Sequence, residues 1–196
     1  MPLIASRAGG SVIGLGGLGA SLGVPYLGPF GSFDSLAANT LTSTTATVTF
    51  ANIPATYKHL QLRMSTRTDF ASATPIDMYL ELNADTSYTG YRNHRFRSDG
   101  ATTTVGSSAS YDLHKMTPAA TSTASVFSGI VVDIFDYANT NKNTTVRYFG
   151  GADLSGSGHS VFGSILWPFT NAVNQIKLLA DGSFVTGSTF ALYGVK

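Results

Sequence analysis

The sequence contains no cysteine, one glutamate (Glu81), and no apolar run as long as the 18 residues expected of a membrane span. The absence of cysteine excludes disulfides and cysteine-ligated metal sites. Charged residues form 12% of the chain, about half the usual share, and the net charge is +1. Neither membrane insertion nor a nucleic-acid-binding surface is therefore expected. The first residues lack a Lys/Arg-rich segment, so no signal peptide is expected either.

The polarity of the chain comes instead from hydroxyl side chains, with 22 serines and 24 threonines. Surfaces rich in hydroxyls and glycine are common in extracellular and virion β-proteins. A length of 196 residues corresponds to one domain, or to one domain with a short appendage.

The composition changes abruptly near residue 32. Residues 1–32 hold nine of the 21 glycines and a single charged side chain, Arg7. Their apolar residues occur singly or in pairs, without the periodicity of a helix or a strand. The sequence predicts an extended glycine-rich arm over residues 1–32 that docks on another protein. Its candidate anchoring residues are Val12, Ile13, Leu15, Leu18, Leu22 and Tyr26.

The arm contains a match to the dinucleotide-binding pattern G-x-G-x-x-G at Gly14, Gly16 and Gly19. That pattern needs a strand before it and a helix that begins within it. Here glycines precede the motif, and Pro25 and Pro29 follow it too closely for a helix. A glycine-rich segment produces such matches by chance, so no cofactor is expected.

Residues 33–196 are expected to form a separate β-domain. Apolar and polar residues alternate over 45–50, 59–66 and 76–82, as in half-buried antiparallel strands. Residues 125–135 are apolar on both faces, which predicts a central strand or a strand at a subunit contact.

Turn-forming residues separate further strand candidates, which recur at intervals of about 10–18 residues. The pattern predicts an all-β fold, an antiparallel β-sandwich with a jelly-roll-like arrangement of about eight or nine strands. The further candidates are 88–97, 144–150, 160–167, 172–179 and 188–195.

The titratable residues give no sign of catalytic or metal chemistry. Asp77 and Glu81 share the polar face of one strand, and we expect that face to be solvated. Asp133 and Asp136 are expected to form a turn, with a structural calcium site as the alternative. The four histidines lack metal-ligand spacing and are expected on exposed strands or loops; they are His59, His94, His114 and His159.

Basic and aromatic side chains are interleaved over residues 90–100. Three readings fit this run: a subunit interface, a patch that binds a ligand such as a sugar or single-stranded nucleic acid, or a solvated strand. The net charge of +1 disfavours nucleic acid. The candidate residues are Tyr91, Arg92, His94, Arg95, Phe96 and Arg97.

Several phrases resemble a family of small bacteriophage virion proteins: "IPATYKHLQLR" (53–63), "YLELNADTSYTGYR" (79–92), "VVDIFDYANTNKNTTVRYFGG" (131–151) and the closing "FALYGVK" (190–196). Members are described as structural, tail-fibre or tail-associated proteins. The resemblance implies a β-sandwich, jelly-roll-like, in an oligomer attached to the particle. A homotrimer is expected. The resemblance carries over no catalytic residue.

Together these features predict a non-enzymatic virion protein, a tail fibre or baseplate-attached appendage anchored through its arm. Its partners would be other phage proteins, and its distal loops would contact a host-surface glycan or protein. One alternative is a capsid decoration or head-fibre protein. Another is a lectin-like or glycan-cleaving domain, in which Tyr88, Tyr91 and Tyr111 would stack on sugars.

Overall fold

The computed structural model describes residues 32–87 and 90–196, and the candidate anchoring residues of the arm lie outside these ranges. Among the described residues there is no helix of the length and apolarity that crossing a membrane requires. The strands are β1 (Phe33–Thr40), β2 (Thr45–Phe50), β3 (His59–Ser65), β4 (Ile76–Leu82), β5 (Arg92–Ser98), β6 (Thr103–Ser108), β7 (Asp112–Thr117), β8 (Gly129–Phe135), β9 (Thr144–Asp153), β10 (Gly158–Trp167), β11 (Ile176–Phe184) and β12 (Thr189–Val195).

The strands form two antiparallel sheets. Sheet I has eight strands in the order β1-β12-β3-β8-β9-β10-β5-β6, and sheet II has four in the order β2-β11-β4-β7. Apolar residues of both sheets meet in one core, to which β3 contributes Leu60, Leu62 and Met64 and β4 contributes Met78 and Leu80. The fold is an all-β sandwich, as the alternating patterns predicted.

The strand order is that of a jelly roll. Early strands pair with late ones, β1 with β12 and β3 with β8 in sheet I, and β2 with β11 and β4 with β7 in sheet II. Successive pairs thus alternate between the sheets, as when a long hairpin is wrapped around a barrel. This is the double Greek-key arrangement of eight strands.

Four additional strands widen sheet I. The hairpins β5–β6 and β9–β10 are inserted between strands of the jelly roll, and they continue sheet I past β8 in the order β9-β10-β5-β6. The run 125–135 contains β8, whose neighbours are β3 and β9. It is therefore central in the sheet, in agreement with one of the two expectations for that run.

The domain has more strands than the eight or nine expected. The nine expected segments each overlap a strand, whereas β1, β6 and β7 were not anticipated. In β7 the alternation is broken because Lys115 has a positive φ of 50° and the register with β4 shifts there. The edge strand β6 (Thr103–Ser108, "TTVGSS") is almost entirely polar and small, so its sequence resembles a loop.

Residues 181–183 ("DGS"), which have the composition of a turn, form a bulge within a strand. It lies inside β11, where the register with β2 shifts between Leu179 and Phe184. Gly182 has a φ of 75°, and a Cβ there would lie 2.7 Å from Asp69 Oδ1. Both the backbone conformation and the close approach require glycine at this position.

Candidate functional site

The candidate run in β5 is divided by the alternation of the strand. Tyr91 precedes β5 and is fully buried, and its hydroxyl accepts a hydrogen bond from the Leu82 amide at 3.0 Å. Arg92, His94 and Phe96 are exposed on the outer face of sheet I. Arg95 and Arg97 are half-buried and point to the opposite side, where they meet β7. The run therefore contributes to two separate surfaces.

The inward surface is organised by Asn93, which is fully buried. Its Nδ2 donates to the Asp112 carbonyl at 2.6 Å and lies 3.1 Å from Asp112 Oδ1. Its Oδ1 accepts from the Tyr148 hydroxyl at 3.1 Å. Burial raises the pKa of Tyr148 to about 12, so this hydroxyl stays protonated and remains a donor. The side chain of Asn93 thus joins the extension of sheet I to the edge strand of sheet II.

His114 lies beside the hydrogen bonds of Asn93, between two carboxylates. Its Nδ1 is 3.3 Å from Asp77 Oδ1 and 3.5 Å from Asp112 Oδ2. Burial lowers the pKa of His114, but the attraction of Asp112 and Asp77 outweighs it, and the net pKa is raised. Arg95 acts against this increase. The expectation that the histidines are exposed holds for His94 alone; His59, His114 and His159 are partly buried, and the His114 side chain is 17% exposed.

The same three residues are a possible metal-ligand set. One donor atom from each of Asp77, Asp112 and His114 lies within 4.8 Å of the others. However, Arg97 Nη1 is 3.4 Å from His114 Nε2, and Arg95 Nη1 is 3.9 Å from Asp112 Oδ2. Arg95 already offsets the charge of Asp112, and His114 lies against both carboxylates, so a divalent ion would compete with cationic groups that are already in place. The cluster stabilises the junction between the sheets.

The raised pKa of His114 predicts a pH-dependent contribution to stability. Folding favours the protonated imidazole, so this contribution is complete below the ordinary pKa of 6.5 and is lost as the pH rises through the folded-state value. His114→Gln should therefore lower the free energy of unfolding more at about pH 5.5 than at about pH 8.5.

Urea denaturation of wild type and variant at both pH values measures this difference. Comparison at each pH cancels the contribution of His159, whose pKa burial lowers. His94→Gln, on the exposed face of β5, serves as the control and should show no such trend. An equal effect of His114→Gln at both pH values would contradict the prediction.

The other acidic candidates are engaged by neighbouring side chains. Glu81 is buried rather than solvated, and Lys177 Nζ lies 3.0 Å from its Oε2. Asp133 lies within β8 rather than in the expected turn, and it accepts a hydrogen bond from Gln61 at 2.7 Å. Asp136 pairs with two lysines, which lower its pKa to about 2, and its positive φ of 47° marks a turn.

The outward surface carries a row of apolar side chains that crosses five strands. The cross-strand pairs run from Val105 to Phe96, from Phe96 to Phe162, from Phe162 to Phe149 and from Phe149 to Val131. Val105 is 85% exposed, Phe149 60% and Phe96 50%. We call these five residues the aromatic ridge. Large contiguous apolar patches on soluble proteins occur at protein contacts, at membrane contacts and at ligand-binding grooves.

A row of small residues lies directly beside the ridge. On four of the five strands, the small residue is two positions from the ridge residue of the same strand. The row consists of Ser98, Ser160, Gly151 and Gly129, which are also cross-strand neighbours. They line a groove of about 630 Å³ that has Phe149 at its edge. We call these four residues the glycine groove. The outer face of sheet I thus has a raised row of large side chains next to a depressed row of small ones.

Glycine is required at position 151 of this groove. Its φ is 144°, and a Cβ there would lie 1.9 Å from the His159 carbonyl oxygen. Gly129 is different, because a Cβ there would meet no atom within 4 Å. The groove therefore has one position fixed by the fold and one that is open to substitution.

The tyrosines considered for sugar stacking do not form one surface. Tyr91 is fully buried, and Tyr111 packs against it with a ring-centroid distance of 5.2 Å. Tyr88 lies outside the described residues. A sugar cannot stack on Tyr91, because this side chain is buried.

Sequence reasoning included Phe96 but missed Phe162, Phe149 and Val105. Val105 and Phe149 are each the single apolar residue on the outward side of their strand, and Phe162 shares that side of β10 only with Leu166; such residues are common in soluble proteins. Their alignment depends on the register of four strand pairs. A signal that could have found them is the recurrence of one outward apolar residue in successive strands.

The fold and the outer face define a jelly-roll protein with an exposed row of apolar side chains. No protein-family model matches the chain, no curated protein matches it, and no solved structure matches it. The case for a function therefore comes from the residues themselves.

Proposed function

We propose that this chain is a structural protein of a bacteriophage particle, a tail appendage anchored by residues 1–32. The observation that carries the proposal is the aromatic ridge, because a jelly-roll surface with three exposed phenylalanines in a row is suited to contact between protein subunits. The hydroxyl-rich composition and the resemblance to phage virion proteins support it. In this role the domain contributes packing surfaces and no catalysis.

The arm is proposed to hold the domain on the particle. Its isolated leucines are too few for a core of their own, yet they are costly to leave in water. They therefore favour a docked arm on a neighbouring phage protein. The distal loops of the domain would then be free to contact a host-surface glycan or protein.

A capsid decoration or head-fibre role is the second candidate, because an apolar arm could equally lie across capsid subunits. Antibody labelling of purified particles, followed by electron microscopy, separates the two locations. Label on the tail is the expected result. Label on the shell would replace the tail assignment by the capsid assignment, and unlabelled particles would contradict both.

Removing the apolar side chains of the arm should abolish incorporation into particles. The variant Leu15→Ser/Leu18→Ser/Leu22→Ser keeps the arm length and changes only its apolarity. We expect the amount on purified particles to fall at least tenfold, roughly the effect of losing about 1.4 kcal/mol of docking energy. Quantitative mass spectrometry of the particles measures it.

The matched control is Ala5→Ser/Ala8→Ser/Ala20→Ser, which makes the same number of changes in the same segment with little loss of apolar area. Circular dichroism of both purified variants checks that the β-domain is folded. Normal incorporation of the leucine variant would show that the arm is not the anchor.

A further inference from the structure

The outer face of sheet I has a ridge and a groove of matching length in parallel rows. The ridge residues Phe162, Phe149 and Val131 lie on β10, β9 and β8, and the groove residues Ser160 and Gly151 and Gly129 lie on the same three strands. Each ridge residue is thus two positions from a small residue on its own strand. Bulky and small side chains are side by side over the same width of the sheet.

We infer that this face binds a second copy of the same chain, the ridge of each copy packing into the groove of the other. A two-fold axis that crosses the strands between the two rows exchanges ridge and groove. It places Phe149 over Gly151 of the second copy and Val131 over Gly129 of the second copy. Both contacts then occur twice, as in an isologous interface.

The charges beside the two rows obey the same symmetry. On β9, Arg147 lies two residues before Phe149, and Asp153 lies two residues after Gly151. The axis that exchanges the two rows therefore brings Arg147 to Asp153 of the second copy, again twice. Both side chains are exposed, and Arg147 makes no ion pair with the described residues. A second copy of the chain therefore supplies a residue of opposite charge at each of these two positions.

The area lies in the lower part of the range of stable contacts. Five strands about 4.8 Å apart and six to ten residues long cover about 630 Å². Specific interfaces bury about 1,200–2,000 Å² in total, or about 600–1,000 Å² on each partner. Because ridge and groove share one face, the contact closes as a dimer, and the trimer expected from the resemblance is the rival outcome.

Sedimentation velocity of the full-length chain tests the inference. The wild type should be a dimer, and Phe149→Ser should raise the dissociation constant about 30-fold or more, the effect of losing an interface hot spot. Phe70→Ser is the control, because Phe70 is 42% exposed and lies outside the sheets. Gly129→Phe fills the groove at its unobstructed position and should also give monomers.

A charge exchange tests the two-fold axis directly. Arg147→Asp and Asp153→Arg should each be monomeric alone, because each places like charges opposite one another twice. An equimolar mixture should dimerise, since both Arg–Asp contacts are restored between the two variants. A monomeric or trimeric wild type, a dimeric Phe149→Ser variant or a monomeric mixture would each overturn the inference.

This inference rests on the proposed function in one respect, the treatment of the outer face as a protein contact. The two tests are separate because labelling concerns the particle and sedimentation concerns the isolated chain. A dimer in solution with unlabelled particles would retain the interface and remove the viral role. Labelled particles together with a monomeric chain would retain the viral role and remove the interface.

Discussion

Replacing Arg67 with methionine is expected to lower the free energy of unfolding by about 3 kcal/mol, because four charge-assisted hydrogen bonds are lost at once. The Arg67 guanidinium donates to the carbonyl oxygens of Thr123 and Val126 through Nη1, at 2.8 and 3.0 Å. It donates to those of Ala120 and Ser122 through Nη2, at 3.1 and 3.0 Å. One side chain therefore holds the connection between β7 and β8.

Four carbonyl groups of the loop depend on Arg67, because the other backbone hydrogen bonds of the loop, such as those from the Ala120 and Thr121 amides to Phe70 and Ser72, use different groups. Residues 118–128 contain no strand, and their carbonyl groups converge on the guanidinium. Methionine retains most of the packing volume but none of the donors. The backbone hydrogen bonds of residue 67 itself, to Ser188 and from Val185, should survive the substitution. The loss should therefore be confined to the loop contacts.

Urea denaturation measures the change in stability, and hydrogen exchange should show lost protection within residues 118–128. Arg67→Lys should fall between wild type and Arg67→Met, because a single ammonium group has three donors and cannot bond all four carbonyl groups. Arg63→Met is the matched control, with an expected cost of about 1 kcal/mol from its exposed stacking on Phe33 and Tyr193. Equal losses for Arg67→Met and Arg63→Met would refute this role of Arg67.

Replacing Asn93 with leucine is expected to cost about 3 kcal/mol, since it leaves two buried groups without a partner. The Tyr148 hydroxyl would lose its acceptor, and the Asp112 carbonyl would lose its donor. Leucine has the same number and branching of side-chain heavy atoms as asparagine, so the substitution leaves no cavity and the cost would arise from the lost hydrogen bonds. Thermal and urea denaturation both measure it.

A second substitution identifies the source of that cost. Tyr148→Phe removes the unsatisfied hydroxyl, so it should be less destabilising in the Asn93→Leu background than in the wild type. His94→Leu is the control on the outward side of β5 and should change stability by less than about 0.5 kcal/mol. Additive effects of Asn93→Leu and Tyr148→Phe would show that the two side chains are not coupled.

The class of fold could be predicted from the sequence because a strand reveals its buried side by a period of two. In β3, Leu60, Leu62 and Met64 alternate with polar residues, and all three are buried. The same pattern identifies β2 and β4 and excludes an alternation of strands and helices. Strands without such a pattern were missed, because a polar edge strand such as β6 has no buried side to reveal.

The sequence predicted that the two surfaces of β5 both carry basic residues, but it did not predict what each surface contacts. The run that contains Arg92, His94, Arg95, Phe96 and Arg97 was recognised as unusual, and its alternation places arginines on both faces. Which neighbours meet each face could not be read from it. The inward arginines face residues of β7, and Phe96 pairs with a residue of β10 more than 60 positions away.

The sequence by itself determined that this chain is a low-charge, hydroxyl-rich, antiparallel β-protein, because composition and period-two alternation are local properties. Only the tertiary structure decided the jelly-roll order, the pairing of His114 with two carboxylates and the alignment of the aromatic ridge. The physical reason is register. A strand fixes the side on which each residue lies, but its neighbours and their offset are set by packing of the whole domain.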